Sequence, residues 1–174
     1  RMSPHLRKEI MKADIYKARL KFLQENNITT ADDLTACLQQ AENEVTQFAK
    51  QRTILNVRKK KHKKLFDALA AEEALAMSKA LYEEGLSGME SEYAQYVEAK
   101  ATLDTCGISR QALTEEKADI YEQLAQLNKQ IRAERRKIKL CREIADSAAV
   151  IQRDVAAQEK SRHEKESSQT RDHE

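Results

Sequence analysis

From Thr29 to Glu84 the chain contains neither glycine nor proline, and apolar or small residues recur at Leu34, Leu38, Ala41, Val45, Phe48, Leu55, Phe66 and Leu69. The alternating steps of four and three are those of a heptad seam on one uninterrupted helix. At ~1.5 Å per residue that helix would be about 80 Å long, more than twice the width of a small domain. Such an element cannot be the buried centre of a compact ball. Midway, the seam turns polar at Arg52, Lys59 and His62, inside the basic run Arg58-Lys59-Lys60-Lys61-His62-Lys63-Lys64.

Composition agrees with a helical chain. Of 174 residues, 34% are charged and only 5% aromatic, with 3 Gly, 1 Pro and no Trp. A sheet needs turn residues and β-branched or aromatic strands, and few are present. The expected fold class is all-α: an extended antiparallel coiled-coil-like hairpin with two shorter packing helices.

Three joints punctuate the chain. Leu23…Asn27-Ile28-Thr29, Leu81…Gly85-Leu86-Ser87 and Leu103…Gly107-Ile108-Ser109 share one plan. A residue tolerant of left-handed backbone follows the helix, and the next apolar residue can touch the leucine five positions back. A Ser or Thr then caps the next helix, with Glu90 completing a capping box after Ser87. Ser3-Pro4 starts the first helix, whose stripe is Leu6, Ile10, Ala13, Leu20 and Leu23. Four helices follow from these joints, at about 4–26, 30–84, 88–105 and 110–157.

The fourth helix has its own seam, Leu113, Ile120, Leu124, Leu127, Ile131, Ile138, Cys141, Ala145, Ala148 and Val155. Residues 1–157 thus form one elongated helical domain, and 158–174 a polar charged tail that frays or is disordered. The opening Arg1 points to a piece of a longer chain. If helix four runs antiparallel along the first half of helix two, with Gly107 as a kink, the run 58–64 lies beside Glu115, Glu116, Asp119 and Glu122. Arg132, Arg135, Arg136, Lys137 and Lys139 then lie near Glu42 and Glu44. In the competing arrangement Gly107 is a full reversal, and a second copy of the chain, as a homo-oligomer, covers the exposed seam.

The residues for chemistry are sparse. Cys37, Cys106 and Cys141 form no CxxC pair, as suits isolated thiols in a reducing cytoplasm. His5, His62, His163 and His173 are scattered, so no metal or cofactor is expected. Phosphate loops and catalytic motifs of the GxSxG or HExxH kind are absent, and no enzyme activity is expected of this segment. No apolar run approaches a membrane span.

The basic clusters carry the functional signal. Arg52, Arg58, Lys59, Lys60, Lys61, Lys63 and Lys64 occur without an intervening acid. Arg132, Arg135, Arg136, Lys137 and Lys139 lie in a second cluster with only Glu134 against them. Such clusters hold phosphate backbones through counterion release. The competing reading makes them the solvated flanks of a coiled coil, setting register and solubility in a protein-interaction or spacer module with no nucleic-acid role.

Leu20-Lys21-Phe22-Leu23-Gln24-Glu25-Asn26-Asn27-Ile28-Thr29, with Leu103-Asp104-Thr105-Cys106-Gly107-Ile108 and Ile138-Lys139-Leu140-Cys141-Arg142-Glu143-Ile144-Ala145, resembles one known region. It is the helical part C-terminal to the nuclease domain in relaxases, the mobilisation proteins of Gram-positive conjugative and mobilisable elements. The resemblance covers residues 10–155. The family's nuclease cleaves one DNA strand with a tyrosine and a metal held by a histidine cluster. Neither that cluster nor its flanking motif occurs in this chain, so no catalytic residue carries over. The resemblance implies an accessory domain that contacts origin-of-transfer DNA, other relaxosome or transfer-machinery proteins, or another subunit.

Overall fold

A computed structural model describes the backbone of residues 3–171. Within them lie six helices and no strand: α1 (Pro4–Glu25), α2 (Ala31–Lys61), α3 (Lys63–Ala74), α4 (Ala76–Glu83), α5 (Glu90–Thr105) and α6 (Arg110–Arg171). The chain divides into two compact units. One comprises the residues up to Thr46 with those from Arg132 onward, and the other comprises Gln47–Ile131.

The four-helix expectation becomes six because the long second helix bends twice. His62 (φ −92°, ψ 4°) separates α2 from α3, and Leu75 (φ −97°, ψ 1°) separates α3 from α4. The hydrogen-bond ladder nevertheless carries across both bends. His62 N–H donates to Arg58 C=O and Phe66 N–H to His62 C=O; Leu75 N–H donates to Ala71 C=O and Lys79 N–H to Leu75 C=O. The first bend falls where the seam turns polar, and the His62 ring stacks on Phe66 with centroids 5.7 Å apart. Helix α6 continues to Arg171, past the expected end at 157; the last three residues of the expected tail lie outside the described ones.

The joints are local and follow their residues. Asn27, Gly85 and Gly107 all have positive φ, at 52°, 87° and 73°. At the first joint Ile28 N–H donates to Leu23 C=O (2.9 Å) and Asn27 N–H to Gln24 C=O (3.2 Å); at the second, Leu86 donates to Leu81 and Gly85 to Tyr82. This is the paired bonding of the Schellman motif. Ser87 does not cap α5 as expected. Gly88 is also left-handed (φ 90°), so the helix starts at Glu90, behind Met89 and without a side-chain cap. Around Gly107 an added methyl group would meet open space, so Gly107→Ala tests backbone conformation alone. It is expected to destabilise the protein by about 1–2 kcal/mol, the cost of left-handed backbone for an L-residue. An unchanged urea midpoint would contradict the joint.

In the unit up to Thr46 and from Arg132 onward, the start of α2 runs antiparallel to α6. Phe22, Ile28 and Cys141 form its buried centre, with Leu23, Leu34, Cys37, Leu38, Leu140 and Ile144 packed around them. Arg142 Nη2 reaches Glu42 at 2.7 Å, and Arg19 donates to the Ser147 hydroxyl at 2.9 Å. The expected α1 stripe, by contrast, is packed only at its last residue, Leu23. Leu6, Ile10 and Leu20 are exposed, and Phe22 is the residue of α1 that is buried. Leu20 and Phe22 are two positions apart, which on a helix means nearly opposite faces.

Thr30 caps α2 in this unit. Its hydroxyl accepts from Asp33 N–H, while the Asp33 carboxylate accepts from Thr29 N–H, the Thr29 hydroxyl and Thr30 N–H. These bonds, led by the one from Thr29 N–H, hold the Asp33 carboxyl down at about 2, below its ordinary 3.8. A depressed carboxylate stabilises the fold above its unfolded pKa and loses that contribution as pH falls through the folded one. Asp33→Asn is therefore expected to lower the melting temperature at neutral pH. The gap between mutant and parent should close as pH falls from about 4 to about 2. A gap independent of pH would refute this role.

In the Gln47–Ile131 unit, α5 folds back along α4 and α3. Tyr82 and Tyr93 stack at 4.2 Å. The core comprises Leu55, Phe66, Ala68, Ala99, Leu103, Leu113, Ile120, Leu124 and Leu127. Phe48 packs against this core from α2. The end of α2 runs antiparallel to α6, with Arg52 Nη1 to Asn128 Oδ1 at 3.4 Å and Arg58 Nη2 to Glu116 Oε2 at 2.6 Å. Thus α2 and α6 pack together like hairpin arms within the one chain. Arg110, just past the Gly107 kink, donates Nε and Nη2 to Glu72 (2.5 and 2.7 Å) and Nη2 to Asp104 (2.9 Å). Its hydrogen bonds lower the Glu72 pKa.

Candidate nucleic-acid interface

The two basic clusters fall in different units. In the Gln47–Ile131 unit, the run 58–64 straddles the His62 bend, and packing sorts its charges. Arg58 is bound to Glu116, with the His62 imidazole 4.0 Å from the same carboxylate. Lys59 is half-buried, its ammonium 4.3 Å from the centre of the Tyr121 ring. Lys63 is tied to Asp67 one turn on, and Arg52 to Asn128. Lys60, Lys61 and Lys64 are exposed and form no ion pair among the described residues. Positions 60 and 64 are four apart, and 61 and 64 three apart, so these three ammonium groups share one face.

The second cluster lies on α6 in the other unit. Residues 132, 135, 136 and 139 follow the i, i+3, i+4, i+7 pattern of one helix face, and all four are exposed. The stripe points away from the seam residues Ile138 and Cys141. Arg135 and Arg136 have no ion pair among the described residues, whereas Lys139 lies 3.8 Å from Glu143. Lys137 lies outside the stripe. It reaches the buried Glu134 at 2.8 Å, and that hydrogen bond raises its pKa. The expected neighbour Glu42 is taken by Arg142.

Sequence reading treated each cluster as one set of equivalent charges. Packing leaves Lys60, Lys61 and Lys64 in one, and Arg135 and Arg136 in the other, as cations without ion pairs. Tyr121, which occupies Lys59, was missed, since only tertiary packing brings it there. The two kinds of cation differ in chemistry. Lysine presents a hydrated point charge to any oxygen anion, whereas arginine offers a planar fork that grips a phosphate at two oxygens. The Tyr121 ring beside the first patch is already engaged by Lys59, and residues 132–139 include no aromatic one. Stacking on unpaired bases, which needs open aromatic platforms, is therefore not what either patch is built for.

No group of His, Cys, Asp and Glu among the described residues could hold a metal ion. No described helix is long and apolar enough to cross a membrane. No protein-family model matches the chain, and neither a curated protein nor a solved structure does.

Proposed function

We propose that this chain is a non-catalytic helical accessory domain that holds duplex DNA through its phosphates, without base preference, within a DNA-mobilisation relaxase. The observation that carries the DNA contact is the exposed state of Lys60, Lys61 and Lys64, and of Arg135 and Arg136, without ion pairs among the described residues, after neighbouring acids have taken other cations. Helix pairing thus does not consume these charges, and phosphates are their natural counterions. The relaxase setting, with origin DNA and relaxosome proteins as partners, rests on the resemblance of residues 10–155 to the helical part of those proteins.

The contact is electrostatic and blind to base identity. Its affinity belongs in the non-specific range, with a Kd of roughly 10⁻⁴ to 10⁻⁶ M at physiological salt. Fluorescence anisotropy of a labelled duplex, titrated with the chain at several salt concentrations, tests it directly. A log–log plot of affinity against salt should fall steeply, and two unrelated duplex sequences should give the same line. No binding even at low salt would defeat the proposal.

A second reading has its own support. Arg58–Glu116 and Arg142–Glu42 join α2 to α6 as register-setting flank charges do in coiled coils. In that reading α2 and α6 are extended coiled-coil-like arms of a protein-interaction or spacer module. It accounts for the paired cations and leaves the others as solubility devices.

A further inference from the structure

The three cysteines are far apart in sequence, yet folding brings two of them together. Cys37 on α2 packs against the cluster centred on Cys141 of α6, which makes the two thiols neighbours across the helix pair. Cys141 is fully enclosed, whereas Cys37 is only half-buried and open to solvent on one side. Cys106 lies in the other unit, its thiol held by the Leu103 carbonyl at 3.0 Å.

We propose that Cys37 and Cys141 are a disulfide-forming pair, a covalent cross-link of α2 to α6 that a hydroperoxide closes and a thiol reductant opens. The exposed Cys37 sulfur meets the oxidant first. It gives two electrons to the peroxide O–O bond, becoming a sulfenic acid while the peroxide leaves as an alcohol or as water. The Cys141 sulfur then attacks the Cys37 sulfur. The S–S bond forms, the S–O bond breaks, and the hydroxyl departs as water with the Cys141 proton. Two thiols and one hydroperoxide thus yield one disulfide, one water and one alcohol (or a second water).

The asymmetry of the site sets this order. Burial, with the neighbouring Cys37 thiol, pushes the Cys141 pKa up to about 11, so Cys141 stays protonated and inert to oxidants in solution. It reacts only with a partner already in contact. A disulfide here ties residues more than a hundred positions apart, and such a long closed loop strongly restricts the unfolded chain.

The test uses the reduced chain and hydrogen peroxide. Free thiols counted after denaturation should fall from three to one, because two of the three enter the bond. The product should migrate as a monomer without reductant, weigh two hydrogens less, and yield a tryptic peptide joining Cys37 to Cys141. Its melting temperature should rise by roughly 5–10 °C and return on reduction. Cys106→Ser should oxidise as the parent does, whereas Cys37→Ser and Cys141→Ala should each abolish the cross-linked monomer. If the buried substitution impairs folding, Cys37→Ser at the half-exposed position still decides the matter. A thiol count that stays at three, disulfide-linked dimers as the main product, or a Cys37–Cys106 peptide would each overturn the pair.

Discussion

Replacing Lys60, Lys61 and Lys64 together with glutamate is expected to weaken duplex binding by about 10²-fold or more at roughly 50 mM salt. Each lost phosphate contact should also flatten the slope of log affinity against log salt by about 0.9, and by about 2.7 if all three meet phosphates. The three side chains are exposed and outside the core, so helix content and melting temperature should stay nearly constant. Arg58→Ala provides the contrast. That guanidinium is already bound to Glu116, so its removal should cost stability more than affinity. Arg135→Glu with Arg136→Glu tests the α6 stripe separately. A triple variant that binds with the parent's affinity and salt slope would leave these lysines as solubility devices and favour the protein-interaction reading.

Ile120→Ala is expected to destabilise the fold severely, by about 2–5 kcal/mol. Ile120 is fully buried, in the cluster that also contains Leu55, Phe66, Leu103 and Leu113, drawn from four helices. Removing its outer carbons loses transfer energy and leaves a cavity that rigid helix backbones cannot readily close. Ile54→Ala is the matched control. Ile54 is 67% exposed although it adjoins the buried Leu55, and its truncation should cost less than about 0.5 kcal/mol. Urea denaturation should show a lower midpoint for Ile120→Ala at an unchanged slope, with Ile54→Ala close to the parent. Equal losses from the two substitutions would mean that the seam of α2 does not face α6.

Much of this architecture was legible in the residues alone. Asn27, Gly85 and Gly107 revealed three left-handed joints, because backbone handedness depends on the presence of a Cβ and on contacts a few residues away. The heptad spacing of Leu113, Ile120, Leu124 and Leu127 likewise identified a buried face before any partner was known. Gly88 shows where local reading failed. It extends the turn after Gly85 by a second left-handed residue, and Ser87, the expected cap, became part of the turn. Sequence reading identified where the basic runs lie, without distinguishing the cations that are paired from those that are not.

What the sequence by itself determined was therefore the class of fold, the joints and the seams, all set by periodicity and by backbone preferences that act over one or two turns. Tertiary structure decided which face is covered on α1, where the sequence pattern largely misled. Phe22 became the buried residue of α1, packed with Cys141 of α6, while Leu20 on the nearly opposite face stayed exposed. It also decided that Lys59 rests on Tyr121 while Lys60 and Lys61 face water, and that Cys37 meets Cys141. These pairings join positions from about sixty to more than a hundred residues apart. Their physical basis is competition among many apolar and charged groups for a few neighbours, and it is resolved only when the helices pack.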